Sequence, residues 1–222
     1  MKTKRITVFA SGSGSNFKAI HQAALNNDIP ASITALVSDK PDCGAVTYAR
    51  SRNIRTHITS PALFAEDVAG ETVFSLSRSS ESPDPVPEGH RRYAAFLLDV
   101  LEKEMPDLIV LAGYLRKIPD AIVDRYAGSI INIHPSLLPK YGGKGWYGMR
   151  VHRAVIENGE KESGCTIHYV TGIYDDGPII AQSKVAVAPD DTPESLAAKV
   201  QKQEHTLYPQ VIGRLLTKVE NE

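Results

Sequence analysis

Between Arg5 and Val37 the chain leaves few architectural options. Arg5 to Ala10 is a short apolar run, and Ser11–Gly–Ser–Gly–Ser–Asn16 follows as a glycine-rich turn. Phe17 to Leu25 then carries Phe17, Ile20 and Ala24 at helical spacing, and Ser32 to Val37 is a second apolar run. A strand, a tight turn, a helix and a second strand within this span form a βαβ unit. Such a unit requires a parallel sheet covered by helices, and a strand apolar at every position is one buried on both faces. The pattern continues. Leu108 to Ala112 and Ile130 to Ile133 read as further strands, Arg91 to Lys103 and Pro119 to Tyr126 as helices between them. Thr56 to Ile58 reads as a short edge strand. Tyr147 to Glu157 reads as helix, Cys165 to Val170 and Ile179 to Val187 as strands, and Ser195 to Leu216 as a long amphipathic helix bent at Pro209. The expected fold class is therefore α/β: an open, mostly parallel, twisted sheet flanked by helices, in one domain over residues 1–222. Residues 77–90, with Pro83, Pro85 and Pro87, are expected to form a proline-rich surface loop insertion, because proline cannot sit in a helix interior or a paired central strand.

Composition narrows the function classes. Lys plus Arg total 25 and Asp plus Glu 26, a net charge of -1, which gives no reason to expect a nucleic-acid or membrane partner. The apolar start, Ile6 to Ala10, is too short for a secretory segment or a membrane span. Two cysteines, Cys43 and Cys165, make neither a disulfide framework nor a zinc cluster, and a reducing, cytoplasmic setting fits them. His152, His168 and His205 lack metal-ligand spacing, so no metal is expected.

Two segments carry candidate chemistry. The glycine-rich turn sits between strand and helix, where unpaired N–H groups and the positive helix end suit a phosphate. Gly12 and Gly14 permit close backbone approach, and Ser13, Ser15 and Asn16 add donors. The dinucleotide fingerprint is incomplete, since its third glycine position holds Phe17, and no Walker lysine follows the glycines. Asp39 after the second strand is placed where a ribose contact is conceivable, so a monophosphate ester and a dinucleotide both stay open at this point.

The second segment is Ile130–Ile–Asn–Ile–His–Pro–Ser–Leu–Leu–Pro–Lys140. Asn132 and His134 are two apart on an extended strand and project to one side, with Ile131 and Ile133 anchoring the other. An amide donor beside an imidazole suits a developing oxyanion and a proton shuttle, the requirements of acyl transfer. The loop Thr171–Gly–Ile–Tyr–Asp–Asp–Gly–Pro178 supplies a carboxylate, Asp175 or Asp176, able to orient that imidazole and favour its charged form. Ser136 lies in no nucleophile elbow and Cys165 lies in an apolar strand, so direct transfer between two bound substrates is the better reading.

These segments, with Leu111–Ala–Gly–Tyr–Leu–Arg116 and Gln203–Glu–His205, resemble the phosphoribosylglycinamide formyltransferases, the folate-dependent glycinamide ribonucleotide transformylases of purine synthesis. The resemblance covers roughly residues 5–217 and implies the formyltransferase fold. It implies that Asn132, His134 and Asp175 form the catalytic trio and that Gly14, Ser15 and Asn16 bind the substrate phosphate. Glu204 falls on the amine and ribose side of the ribonucleotide, and Leu115, Arg116, Lys117 and Ile118 on the folate pocket. The implied cosubstrate is 10-formyltetrahydrofolate, with neither metal nor NAD. The implied partners are this folate and glycinamide ribonucleotide, with the oligomeric state open. The Arg116 side chain is left with three options: folate, phosphate or a carboxylate. A related folate-dependent formyltransferase or formyl hydrolase, and a non-catalytic nucleotide-binding regulatory module, are the alternatives. The chain departs from the compact bacterial pattern in residues 77–90, in Gly142–His152, and in Asp176 where a glycine is familiar.

Overall fold

A computed structural model describes residues 3–64 and 87–218. Seven strands form one sheet: β1 (Lys4–Phe9), β2 (Ala31–Ser38), β3 (Arg55–Ile58), β4 (Leu108–Leu111), β5 (Ile130–His134), β6 (Glu162–Tyr169) and β7 (Ile179–Ala186). Their spatial order is β3-β2-β1-β4-β5-β6-β7. The first five are parallel, and β6 and β7 continue the sheet antiparallel. Six α-helices accompany them: α1 (Ser15–Leu25), α2 (Gly44–Ser51), α3 (Glu88–Glu104), α4 (Asp120–Arg125), α5 (Met149–Glu157) and α6 (Pro193–Lys218).

The apolar strands divide their side chains between two cores. In β4, Leu108 and Val110 join one core while Ile109 and Leu111 join the other. The first core takes Phe17 and Ile20 of α1, Ala45 and Val46 of α2, Val155 of α5 and Leu196, Val200, Tyr208 and Val211 of α6. The second takes Tyr93, Leu97 and Leu101 of α3 and Ile122 of α4. Both faces are thus covered, which is the physical reason these strands read as unbroken apolar runs. Tyr208 is fully buried, and its hydroxyl lies 2.9 Å from the Leu111 carbonyl and 3.2 Å from that of Ile131. This ties α6 to the two central strands that carry the candidate residues.

Several boundaries differ from the sequence reading. Helix α2 has no counterpart in it, because eight residues with only Ala45, Val46 and Ala49 inward give a weak periodicity. Helix α1 begins at Ser15, so Ser15 and Asn16 belong to its first turn, and Gly14 (φ 73°) is its N-cap. Residues 88–90 are the first turn of α3 and not the end of a loop: His90 and Arg91 N–H groups bond the Pro87 carbonyl, and Glu88 favours a helix start. Residues 77–86 of the expected loop lie outside the described residues. Helix α5 starts at Met149, after Gly148 (φ 52°), and not at Tyr147. Among the described residues no helix is long and apolar enough to cross a membrane.

Candidate active site

The carboxyl ends of β1, β4 and β5 open into a cleft of about 810 Å³, within the size range of ligand pockets. Its walls include Gly14, Ser15, Asn16, Leu115, Arg116, Lys117, Ile118, Asn132, His134, Asp175 and Glu204. These residues face one space, although they come from five separate parts of the chain, while Asp39 and Asp176 lie outside its wall.

On the sheet side, Asn132 and His134 project from β5 on the face they share with Ile130. The His134 Nε2–H donates to the Tyr141 carbonyl at 2.7 Å. Its Nδ1 lies 3.5 Å from Asp175 Oδ2, an ion-pair distance rather than a full hydrogen bond. Burial holds the His134 imidazole below its ordinary value, against the raising pull of Asp175 and the Tyr141 carbonyl, while the nearby His168 adds to the lowering. The charged form favoured by the carboxylate on sequence grounds is therefore outweighed by desolvation. Burial also acts to raise the Asp175 carboxyl, but His168, His134 and the Gly143 N–H (2.9 Å) together hold it below the usual carboxylate range. Asp175 has φ 53°, which turns its side chain into the cleft, whereas Asp176 is exposed.

His168 enters the site although its spacing gave no signal. It is the β6 partner of Asn132 in the antiparallel register. The Asn132 Nδ2–H donates toward His168 Nε2 at 3.2 Å, His168 Nδ1–H donates to the Tyr169 carbonyl at 2.9 Å, and Nε2 is 3.5 Å from Asp175 Oδ1. One amide proton of Asn132 is thereby committed. His152, on α5, is the other histidine in the cleft wall; it is buried, its Nδ1 has no partner, and burial followed by the closeness of His134 lowers it. The pairing across β5 and β6 is long-range, so only an expectation of which strands neighbour each other would have found His168.

The glycine-rich turn forms the opposite wall. Helix α2 backs it: the Ala45 N–H donates to the Gly12 carbonyl at 3.0 Å, and a Cβ on Gly14 would lie 2.8 Å from the Ala45 Cα. Gly14 is thus required by packing against α2 and by its positive φ. The open approach belongs to Gly12, where a Cβ would meet nothing within 4 Å. First-turn N–H groups of α1 have no partners inside the helix. Asn16 Nδ2–H donates to Glu204 Oε2 at 2.8 Å, and the Gln201 amide to Ser15 Oγ at 3.1 Å, so α6 seats both side chains. Burial raises the Glu204 carboxyl, and the Asn16 amide offsets part of this.

The third wall is the segment after β4. The Leu115 N–H donates to Ser11 Oγ at 2.9 Å, and Leu115 is exposed. Lys117 pairs with Asp120, and Ile118 is buried in the second core. The Arg116 guanidinium donates to the Thr59 carbonyl at 2.6 Å and stacks 3.8 Å above the Tyr93 ring. Its contribution to the wall comes from a side chain already anchored in protein. Cys165 is fully buried and burial pushes its thiol up to about 12, the inert state expected of a core cysteine. Among the described residues no group of three His, Cys, Asp or Glu side chains is arranged to hold a metal ion.

The sequence profile described as formyl transferase matches residues 4–212. The chain belongs to the formyl transferase family. Within that family it is 42% identical over 214 residues to the chloroplastic phosphoribosylglycinamide formyltransferase of Arabidopsis thaliana, covering 96% of this chain and 66% of that protein. It is 37% identical over 208 residues to the phosphoribosylglycinamide formyltransferase of Escherichia coli, covering 94% of this chain and 85% of that protein. The crystal structure of the phosphoribosylglycinamide formyltransferase from Bacillus halodurans superposes with a TM-score of 0.81 at 34% identity, covering 98% of each chain. The chain spans about two thirds of the length of its plant relatives, 66% and 62% of two of them. The formyltransferase fold expected from the motifs is the one found, with its parallel half and antiparallel β6 and β7.

Proposed function

We propose that this formyltransferase moves the formyl group of 10-formyltetrahydrofolate to the primary amine of glycinamide ribonucleotide, a step of purine synthesis. The convergence of Asn132, His134 and Asp175 on the same cleft as the glycine-rich turn is the observation that carries the reading. A cleft of about 810 Å³ accommodates two substrates side by side. The ribonucleotide phosphate sits against the Gly12–Asn16 wall, with Glu204 on the ribose and amine side. The folate lies along Leu115–Ile118 and the Asp175 loop.

In this reading the neutral amine attacks the formyl carbon. A carbon–nitrogen bond forms, the carbonyl π pair moves onto oxygen, and a tetrahedral intermediate results. The uncommitted amide proton of Asn132 stabilises the oxygen, joined by His134 once its Nδ1 has taken the proton that the attacking nitrogen gives up. Asp175 is at ion-pair distance from that Nδ1, so a proton arriving there gains a partner that the resting, neutral ring lacks. That proton passes from His134 Nδ1 to folate N10, the carbon–N10 bond breaks, and the carbonyl re-forms. Holding both substrates against rigid strand ends supplies orientation, a large part of the rate.

The test is a formyl-transfer assay in which each substrate is omitted in turn. Formylated ribonucleotide and tetrahydrofolate must appear only when both are present. Folate deformylation without the amine would identify a hydrolase, and binding of the ribonucleotide without turnover would identify a regulatory module. Either result defeats the proposal.

A further inference from the structure

The reading above gives His134 two nitrogens with different tasks, and the structure contains a device that assigns them. The Nε2 position meets a backbone carbonyl, that of Tyr141 at 2.7 Å. A carbonyl only accepts, so the Nε2 carries hydrogen in any bonded state of the ring, and the neutral ring keeps its lone pair on Nδ1. The direction of the Tyr141 carbonyl is not a default of the chain. Tyr141 has φ 55°, a left-handed conformation that a bulky residue adopts only when its surroundings enforce it.

Those surroundings, Trp146 apart, lie outside the cleft wall. The Tyr141 hydroxyl donates to Glu160 Oε1 at 3.0 Å and accepts from the Asn158 amide at 3.0 Å. Glu160 also receives Lys140 Nζ at 2.9 and 3.0 Å. The Tyr141 ring meets Trp146 edge-on with centroids 5.5 Å apart. Before it, the turn is closed by Ser136 Oγ donating to the Lys140 carbonyl at 2.6 Å. Asn158 and Glu160 belong to the turn between α5 and β6, far in sequence from the glycine-rich loop and outside the cleft wall. We propose that Tyr141, held by Glu160 and Asn158, is a positioning residue for formyl transfer: its carbonyl fixes His134 as the Nε2–H tautomer, leaving Nδ1, beside Asp175, as the nitrogen that exchanges the proton. This inference rests on the assignment of proton transfer to His134. The other titratable groups facing that ring are Asp175, His168 and His152.

The tests are Tyr141→Phe, which keeps the ring and removes both hydroxyl bonds, and Glu160→Ala. Both should lower kcat about 10-fold, the lower end of what loss of a group supporting a reactive side chain costs, with KM for each substrate unchanged. Glu160→Gln retains an oxygen acceptor for the tyrosine hydroxyl and should restore most of the rate. Side-chain nitrogen NMR supplies the readout that general loosening does not move. His134 should be a single Nε2–H tautomer in the unsubstituted protein and a mixture in Tyr141→Phe and Glu160→Ala. An unchanged kcat in both variants overturns the proposal, and so does a loss of kcat with His134 still in one tautomer. His134→Ala in the same assay separates the two levels. Near-normal turnover there removes the role of His134 itself, whereas an inactive His134→Ala beside a fully active Tyr141→Phe removes only the clamp.

Discussion

The two ends of the parallel strands hold buried carboxylates beside histidines, yet to opposite effect. At the amino end, Glu104 closes α3 with no exposed surface. It lies 3.0 Å from His57 Nε2, 3.2 Å from Arg55 and 3.7 Å from Arg5, and the Arg5 Nε–H also donates to its backbone carbonyl at 2.7 Å. Two guanidinium groups that never lose their charge make this a permanently compensated site. At the carboxyl end, Asp175 faces His134 and His168, each at 3.5 Å, and accepts a short bond from the Gly143 N–H. Among the described residues no arginine is paired with it. The first arrangement fixes β1, β3 and α3 together. The second leaves a carboxylate whose partners change charge with a proton. The two acids thus differ in whether fixed cations or histidines face the charge.

The contrast can be broken by substitution. The largest effect belongs to His134→Ala, which should lower turnover by about 10²–10³-fold through loss of a group acting on the developing oxyanion. Asn132→Ala should fall in the same class. Steady-state kinetics at saturating substrates, with circular dichroism confirming the fold, checks both, and near-normal rates would dissolve the distinction between the two ends.

Glu104→Ala should do the reverse. It removes the charge-assisted contacts to Arg55 and His57 and should cost about 2 kcal/mol of stability, the scale of a lost hydrogen bond to a charged group. Turnover per folded molecule should hold. Urea unfolding read beside kcat tests this, and a kcat loss at full folding would mean that the amino end also serves the chemistry.

Asp175→Asn should lower kcat about 100-fold, the scale of a lost proton-transfer partner. Asp176→Asn should leave it unchanged, since Asp176 is exposed. The opposite ranking would place the acid one residue later in the loop.

A smaller effect is expected in the pH dependence of stability. Burial lowers His21, His134, His152 and His205 in the folded protein. Below about pH 6.5 the unfolded chain therefore binds more protons than the folded one, and stability falls as pH falls. Above that value the penalty is absent. Thermal unfolding between pH 8 and about pH 5.5 should show the decline, and a His134→Gln, His152→Gln double variant should flatten it. An unaltered slope would place the effect away from the cleft.

The smallest effect separates two glycines of the same turn. Gly12→Ala has room for its methyl group and should raise the ribonucleotide KM severalfold, leaving the folate KM and stability alone. Gly14→Ala should instead destabilise the fold, because its Cβ meets Ala45 and its φ is positive. Equal stability losses in both would show that Gly12 is also held by packing.

What was legible in the sequence is what local pattern encodes. Apolar runs fix strands, helical spacing fixes α1 and α3, and alternation sets Asn132 and His134 on one side of β5. These depend only on backbone periodicity and on removing apolar side chains from water. Motif resemblance supplied the family, which the comparisons show, and the trio, which is proposed. The tertiary structure alone decided the rest. His168 became a neighbour of Asn132 through an antiparallel pairing 36 residues apart in sequence. Helix α2 gave Gly14 a packing requirement that the turn's own sequence does not carry. Arg116 was anchored on the Thr59 carbonyl and the Tyr93 ring. Burial reversed the direction expected for His134. Each of these outcomes is set by which distant groups share a small volume and how much water is left between them, quantities that no stretch of local sequence carries.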